Sequence, residues 1–132
     1  MYPKPKMARI LLIDDEEMVR LTVGAALRFS GHEVAVAQDG EEGINLFQSE
    51  PFDLVVTDMR LPGLNGPEVI KALRALRPEI GVIGIGGGGS VPAFGPEVFA
   101  KKIGADRVLA KPFAVQELNT AVAEVLKIAK AG

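Results

Sequence analysis

A chain of 132 residues, 48% hydrophobic and 24% charged, has room for one domain around one core and the balance of an ordinary globular protein. Its formal charge of -2 argues against a nucleic-acid binder, which needs a basic stripe to neutralise phosphates. The absence of cysteine excludes disulfides and thiolate metal sites, and a single histidine, His32, excludes a His-rich metal centre or a Ser-His-Asp triad.

Residues 1–6, MYPKPK, are polar and broken by proline, and predict a loose tail. The apolar run 8–13 predicts a buried strand; it is too short for a signal-peptide core, ends in four acids, and nothing in the chain approaches the length of a membrane span. A cytoplasmic protein without membrane contact is expected. Over 16–30, Met18, Leu21, Ala25 and Phe29 recur as a helical stripe closed by Gly31. His32 is expected to be a turn residue before a second strand at 33–37. Asp39-Gly40 signals a turn, and 41–49 a short helix weakened by Gly43.

A third strand is expected at 53–57, then a proline- and glycine-punctuated loop at 58–66 and a helix at 67–76 with Pro67 in its first turn. In that helix Lys71, Arg74 and Arg77 fall at helical spacing and predict a solvated face. A fourth, glycine-rich strand at 80–85 leads into GGGGSVP, a short helix at 96–103, a fifth strand at 107–110 and a last helix at 113–130. That last helix carries Val115, Leu118, Val122, Val125 and Ala129 on one face. Strands that are continuous apolar runs, alternating with helices, indicate a parallel sheet covered on both faces: a doubly wound α/β domain.

In such sheets ligands bind beyond the carboxyl ends of the strands. Asp14 and Asp15 follow the first strand, Asp58 the third, Gly86 the fourth and Lys111 the fifth. Three carboxylates brought together would repel, and a divalent cation removes the conflict; Mg²⁺ takes oxygen ligands of this kind, and with it and Lys111 drawing off charge a carboxylate can attack phosphorus. The plainer alternative is that Asp15 only caps the following helix.

The stretches LLIDDEE, LVVTDMRLPGLNG and GADRVLAKPF resemble the three signatures of the response regulator receiver domain, the CheY-like module of two-component signalling, in order and spacing. The likeness implies a receiver over residues 7–128 with tails at 1–6 and 129–132, and a (βα)5 sandwich of sheet order 2-1-3-4-5, as in flavodoxin-like folds. It implies Asp58 as phospho-acceptor and Asp15, Asp14, Asp58 and the carbonyl of Arg60 as Mg²⁺ ligands. Lys111 would pair with the phosphoryl group, and its bond to Pro112 would be cis. Pro62 and Gly66 would shape the loop below the site, with Phe113 a packing residue. Its partners would be a sensor histidine kinase and an unidentified downstream protein, with a homodimer through the fourth helix, fifth strand and fifth helix as one arrangement.

Two positions depart from the pattern. A receiver usually carries Thr or Ser at the end of the fourth strand and an aromatic residue in the fifth, and these fall on Gly86 and Val108. Ser90 in the following loop is one candidate substitute donor, and a nest of backbone N–H groups over residues 86–89 is another. Residues 84–89 also satisfy G-x-G-x-x-G, but a dinucleotide fingerprint belongs in the first strand–helix turn and leads straight into a helix, whereas SVPAFGP intervenes here. A phosphorylated receiver is therefore set against a docking module that keeps the acids without the switch, and against a small nucleotide-using enzyme.

Overall fold

The computed structural model describes residues 8–131 except 88, 90, 93 and 94. The expected tail at 1–6, Gly132 of the expected tail at 129–132, and Ser90 lie outside the described residues, whereas residues 129–131 continue the last helix. Five strands alternate with five helices: β1 (Arg9–Ile13), α1 (Glu17–Phe29), β2 (Glu33–Ala37), α2 (Gly40–Ser49), β3 (Leu54–Asp58), α3 (Gly66–Leu76), β4 (Gly81–Gly86), α4 (Pro96–Ile103), β5 (Arg107–Ala110) and α5 (Val115–Ala131). The strands form one parallel sheet in the order β2-β1-β3-β4-β5. Two strand ends differ from expectation: Asp58 and Gly86 are the last residues of β3 and β4, not the first of the following loops.

Strand alternation divides the core into two layers. Leu11, Ile13, Val55, Met59, Val82 and Val108 face the side of α2, α3 and α4. Ile10, Leu12, Leu54, Val56, Ile83, Ile85 and Leu109 face α1 and α5, meeting Val23, Leu27, Leu118, Val122 and Val125. The glycines that thin the sequence pattern are packing positions. A Cβ on Gly43 would lie 2.4 Å from Ile13 Cδ1, and one on Gly81 would lie 2.7 Å from Val125 Cγ1. Both let a helix and a strand approach closely.

Three expectations about helix faces need correction. On α1 the stripe Met18, Leu21, Ala25 and Phe29 is the outer face, with Phe29 95% exposed. The buried face is Val23, Gly24 and Leu27. With 3.6 residues per turn these stripes lie on opposite sides of the helix, so α1 is apolar on both. On α5, Leu118, Val122 and Val125 are buried as expected but Val115 is exposed. On α3, Lys71 is solvated, whereas Arg74 is only part-exposed and is engaged: its guanidinium donates to the carbonyls of Gly104, Pro78 and Ile80 and pairs with Asp106. Arg77 likewise donates to the carbonyl of Phe52 at 2.7 Å. These two arginines tie α3 to neighbouring loops by satisfying carbonyls at strand starts and a helix end.

Candidate acidic site at the carboxyl edge of the sheet

The site is assembled from three strand ends. Chain continuity places Asp14 just beyond β1, where its N–H donates to the Ala37 carbonyl at 3.1 Å. Its side chain is fully buried and accepts from the N–H of Glu16 at 2.9 Å. Asp58, 4% exposed at the end of β3, accepts from the Arg60 N–H at 3.0 Å on Oδ1. Below it, the turn into α3 closes through Gly63 at φ +76° and a capping box in which Asn65 and Glu68 bond each other's backbone N–H. Gly66 is required there, since a Cβ would fall 2.5 Å from the Asp58 carbonyl oxygen.

Lys111, just after β5, supplies the counter-charge. Its N–H donates to the Gly86 carbonyl and the Lys111–Pro112 peptide is cis. Its Nζ lies 3.0 Å from Asp58 Oδ2, 3.2 Å from Asp14 Oδ2 and 3.6 Å from Glu16 Oε1. Phe113 packs, half-buried, against the α1–α5 core layer, as expected.

One carboxylate oxygen from each of Asp14, Asp15, Glu16 and Asp58 lies within 4.8 Å of the others. Burial pushes the Asp14 carboxyl up to about 6; the Glu16 N–H and the Lys111 charge oppose this, and the nearby Asp58 reinforces it. Burial alone would lower Lys111, but its hydrogen bond with Asp58 and the charges of Asp14 and Asp58 prevail, so the ammonium holds its proton more tightly than a free lysine. Hard oxygen donors in this number, two of them exposed, suit a small divalent cation better than a soft metal. The Asp15 carboxylate is not spent on helix capping, because the N-cap of α1 is Glu16, without a side-chain bond to the helix.

The model of the response regulator receiver domain matches residues 10–123. The chain belongs to that family. It is 36% identical over 119 residues to the response regulator MprA of Mycolicibacterium vanbaalenii, covering 90% of this chain and 50% of that protein. To MprA of Mycobacterium avium it is 34% identical over 122 residues, covering 92% and 52%. The chain thus spans about half the length of the relatives it matches. Among solved structures, a receiver domain protein of Clostridium thermocellum superposes with a TM-score of 0.86 at 31% identity, covering 95% of this chain and 98% of that one. A CheY-like receiver of Methanospirillum hungatei gives 0.84 at 30%, covering 96% and 100%.

As a receiver domain the chain is a two-component signalling module, not an enzyme. The structure brings together Asp14, Asp15, Asp58 and Lys111, expected from three separate stretches of sequence. It adds Glu16, whose signal was its place in the acidic run 14–17 but which sequence reasoning did not single out. The Gly86 carbonyl accepts from the backbone N–H of Lys111, so Gly86 is joined to the site only through the main chain of that residue. Val108 is 8% exposed in the α2–α3–α4 core layer, in register with Gly84. Gly88, which the proposed nest would need, lies outside the described residues. His32 has the structural role expected: it is half-buried, with Nδ1 accepting from the Ala8 N–H at 3.3 Å, and burial pulls it below the ordinary imidazole range.

Proposed function

We propose that Asp58 accepts a phosphoryl group from the phosphohistidine of a sensor histidine kinase. An Asp58 oxygen attacks phosphorus, the P–N bond breaks, the imidazole leaves and takes up a proton, and an acyl phosphate remains on Asp58. The observation that carries this reading is the buried Asp58 carboxylate bonded to Lys111 Nζ at 3.0 Å within a cluster of acids. Lys111 is positioned to transfer its bond from the carboxylate to a phosphoryl oxygen as charge moves there. Asp14, Asp15, Asp58 and the Arg60 carbonyl would hold Mg²⁺, which supplies charge neutralisation on the phosphoryl oxygens. The outer apolar face of α1 begins beside this cluster, at Met18, and offers the phosphodonor protein a surface next to the acceptor. Activity in the cytoplasm and a downstream protein partner follow from the same reading.

The test is the intact mass of the chain after incubation with Mg²⁺ and acetyl phosphate. One added phosphoryl group is expected in the wild type, none in Asp58→Ala and none with chelator. No gain in the wild type, under conditions that label another receiver, sinks the proposal.

A second reading, a docking module indifferent to phosphorylation, draws on Gly86 and Val108, which have neither the hydroxyl nor the aromatic ring of the usual switch. It predicts equal partner affinity before and after the mass gain.

A further inference from the structure

On the reading that Asp58 is phosphorylated, any route from the acceptor to the α4–β5 face runs without a hydroxyl at Gly86 or an aromatic ring at Val108. Met59, the residue next to Asp58, lies on such a route. Its N–H donates to the Ile85 carbonyl of β4 at 2.8 Å, and its carbonyl accepts from the Gly66 N–H of α3 at 3.0 Å. Its side chain is buried in the layer shared with Val69, Val91, Ala100 and Val108.

The sheet register shows what it crosses. Ile13, Thr57, Gly84 and Val108 form one row across β1, β3, β4 and β5. The row has a gap at Gly84. A Cβ there would lie 2.8 Å from Met59 Cε, 3.4 Å from its Sδ and 3.6 Å from Val108 Cγ2. The thioether therefore occupies the space a side chain at position 84 would take, with Val108 on the far side of that space. The same methyl would lie 2.8 Å from a Cβ on Gly66. Val108 in turn lines a cleft of about 490 Å³ between α4 and β5, with Val91, Pro96 and Ala100.

We infer that the Met59 side chain, seated over Gly84, is the positioning element that couples the state of Asp58 to Val108 and the α4–β5 cleft. An unbranched thioether can slide where a β-branched side chain cannot. A close-packed interior passes its displacement to the neighbours it touches. Gly84 supplies the track, because any side chain there would stand between Met59 and its range of positions.

The experiment labels the methionine methyl groups and valine methyl groups of the full chain with ¹³C, and records spectra and intact mass before and after Mg²⁺ and acetyl phosphate. Met59→Leu identifies the Met59 methyl signal among the four methionines. In the wild type, the Met59 and Val108 signals are expected to move together as the mass rises. In Gly84→Ala and in Met59→Leu the mass gain is expected to persist while the Val108 displacement falls several-fold. The added Cβ crowds the far end of the flexible Met59 side chain and stands at ordinary contact distance from Val108, and leucine keeps the core volume, so both variants are expected to retain the fold. A Val108 displacement of wild-type size in the phosphorylated variants overturns the coupling alone. A wild type that gains no mass overturns the acceptor reading, and the coupling falls with it.

Discussion

The ends of β3 and β4 are neighbours in one sheet, yet they are built from opposite materials. At β3 every polar atom of the acceptor has a partner: Asp58 Oδ1 takes the Arg60 N–H and Oδ2 takes Lys111 Nζ. β4 ends in Gly84-Ile85-Gly86, whose last carbonyl accepts from the Lys111 main-chain N–H. The contrast separates two tasks. On the proposed reading, chemistry at Asp58 needs charge held in place, and the β3 side holds it through Lys111 and the Arg60 N–H. Transmission away from Asp58 needs a group that moves, and β4 itself carries no hydroxyl to do it.

Removing the counter-charge should give the largest effect. Lys111→Ala leaves Asp14 and Asp58 facing each other without the ammonium that touches both. The rate of phosphorylation by acetyl phosphate is expected to fall on the order of a hundredfold, as when one donor to a developing anion is deleted. Intact-mass time courses measure it. A rate within a few-fold of wild type would show that the β3 side does not depend on this contact.

The next prediction uses the raised carboxyl of Asp14. Its folded value of about 6 stands above its ordinary 3.8, so between those pH values the folded state binds more protons than the unfolded one. Stability contributed by this group is therefore present at low pH and is lost as pH rises through about 6. Asp14→Asn keeps an acceptor for the Glu16 N–H and removes the charge. With chelator present, the variant should gain on the wild type by roughly 2 kcal/mol between pH 4 and pH 7. Denaturant titrations across that range test it, and a difference that does not grow with pH contradicts it. If the cluster holds Mg²⁺ as proposed, the ranking should reverse when the ion is added, because the variant lacks one of the carboxylates.

Supplying the missing hydroxyl sharpens the comparison from the other side. Gly86→Thr adds a donor at the end of β4 without touching the acids. The phosphorylation rate should stay within about twofold, while the phosphorylation-dependent change in partner affinity rises by roughly fivefold, about 1 kcal/mol of added coupling. Equal coupling in variant and wild type would mean that the signal leaves by a path that a β4 hydroxyl does not join.

These differences track what the sequence made legible. The order of elements and the charged site could be located because apolar runs announce buried parallel strands and an Asp or Lys after each run must fall on one edge. The sheet order came through the family resemblance, not through periodicity. The glycines were harder: Gly43, Gly81 and Gly84 look like defects in a one-dimensional pattern, and only the close approach of Ile13, Val125 and Met59 shows why they are needed. Arg74 and Arg77 look like surface charges until their carbonyl partners are located. Glu16 joins the site through the turn between β1 and α1, a geometry that residue spacing does not specify.

The outer face of α1 was misjudged for a related reason. Periodicity identifies an apolar stripe but not the side of it that the sheet occupies, and α1 carries two. Phe29, at 95% exposed, has almost no native burial to lose. Phe29→Ser should therefore change stability by less than about 0.5 kcal/mol, and leave phosphorylation by acetyl phosphate unchanged. Transfer from a phosphorylated kinase should slow by a few-fold if this face meets the donor protein, because only a large donor reaches from the acid cluster to the far end of α1. Comparing the two donors on the one variant isolates that contact. Equal slowing with both would place the effect in the fold, and no slowing with either would leave the stripe outside the path by which the phosphoryl group arrives.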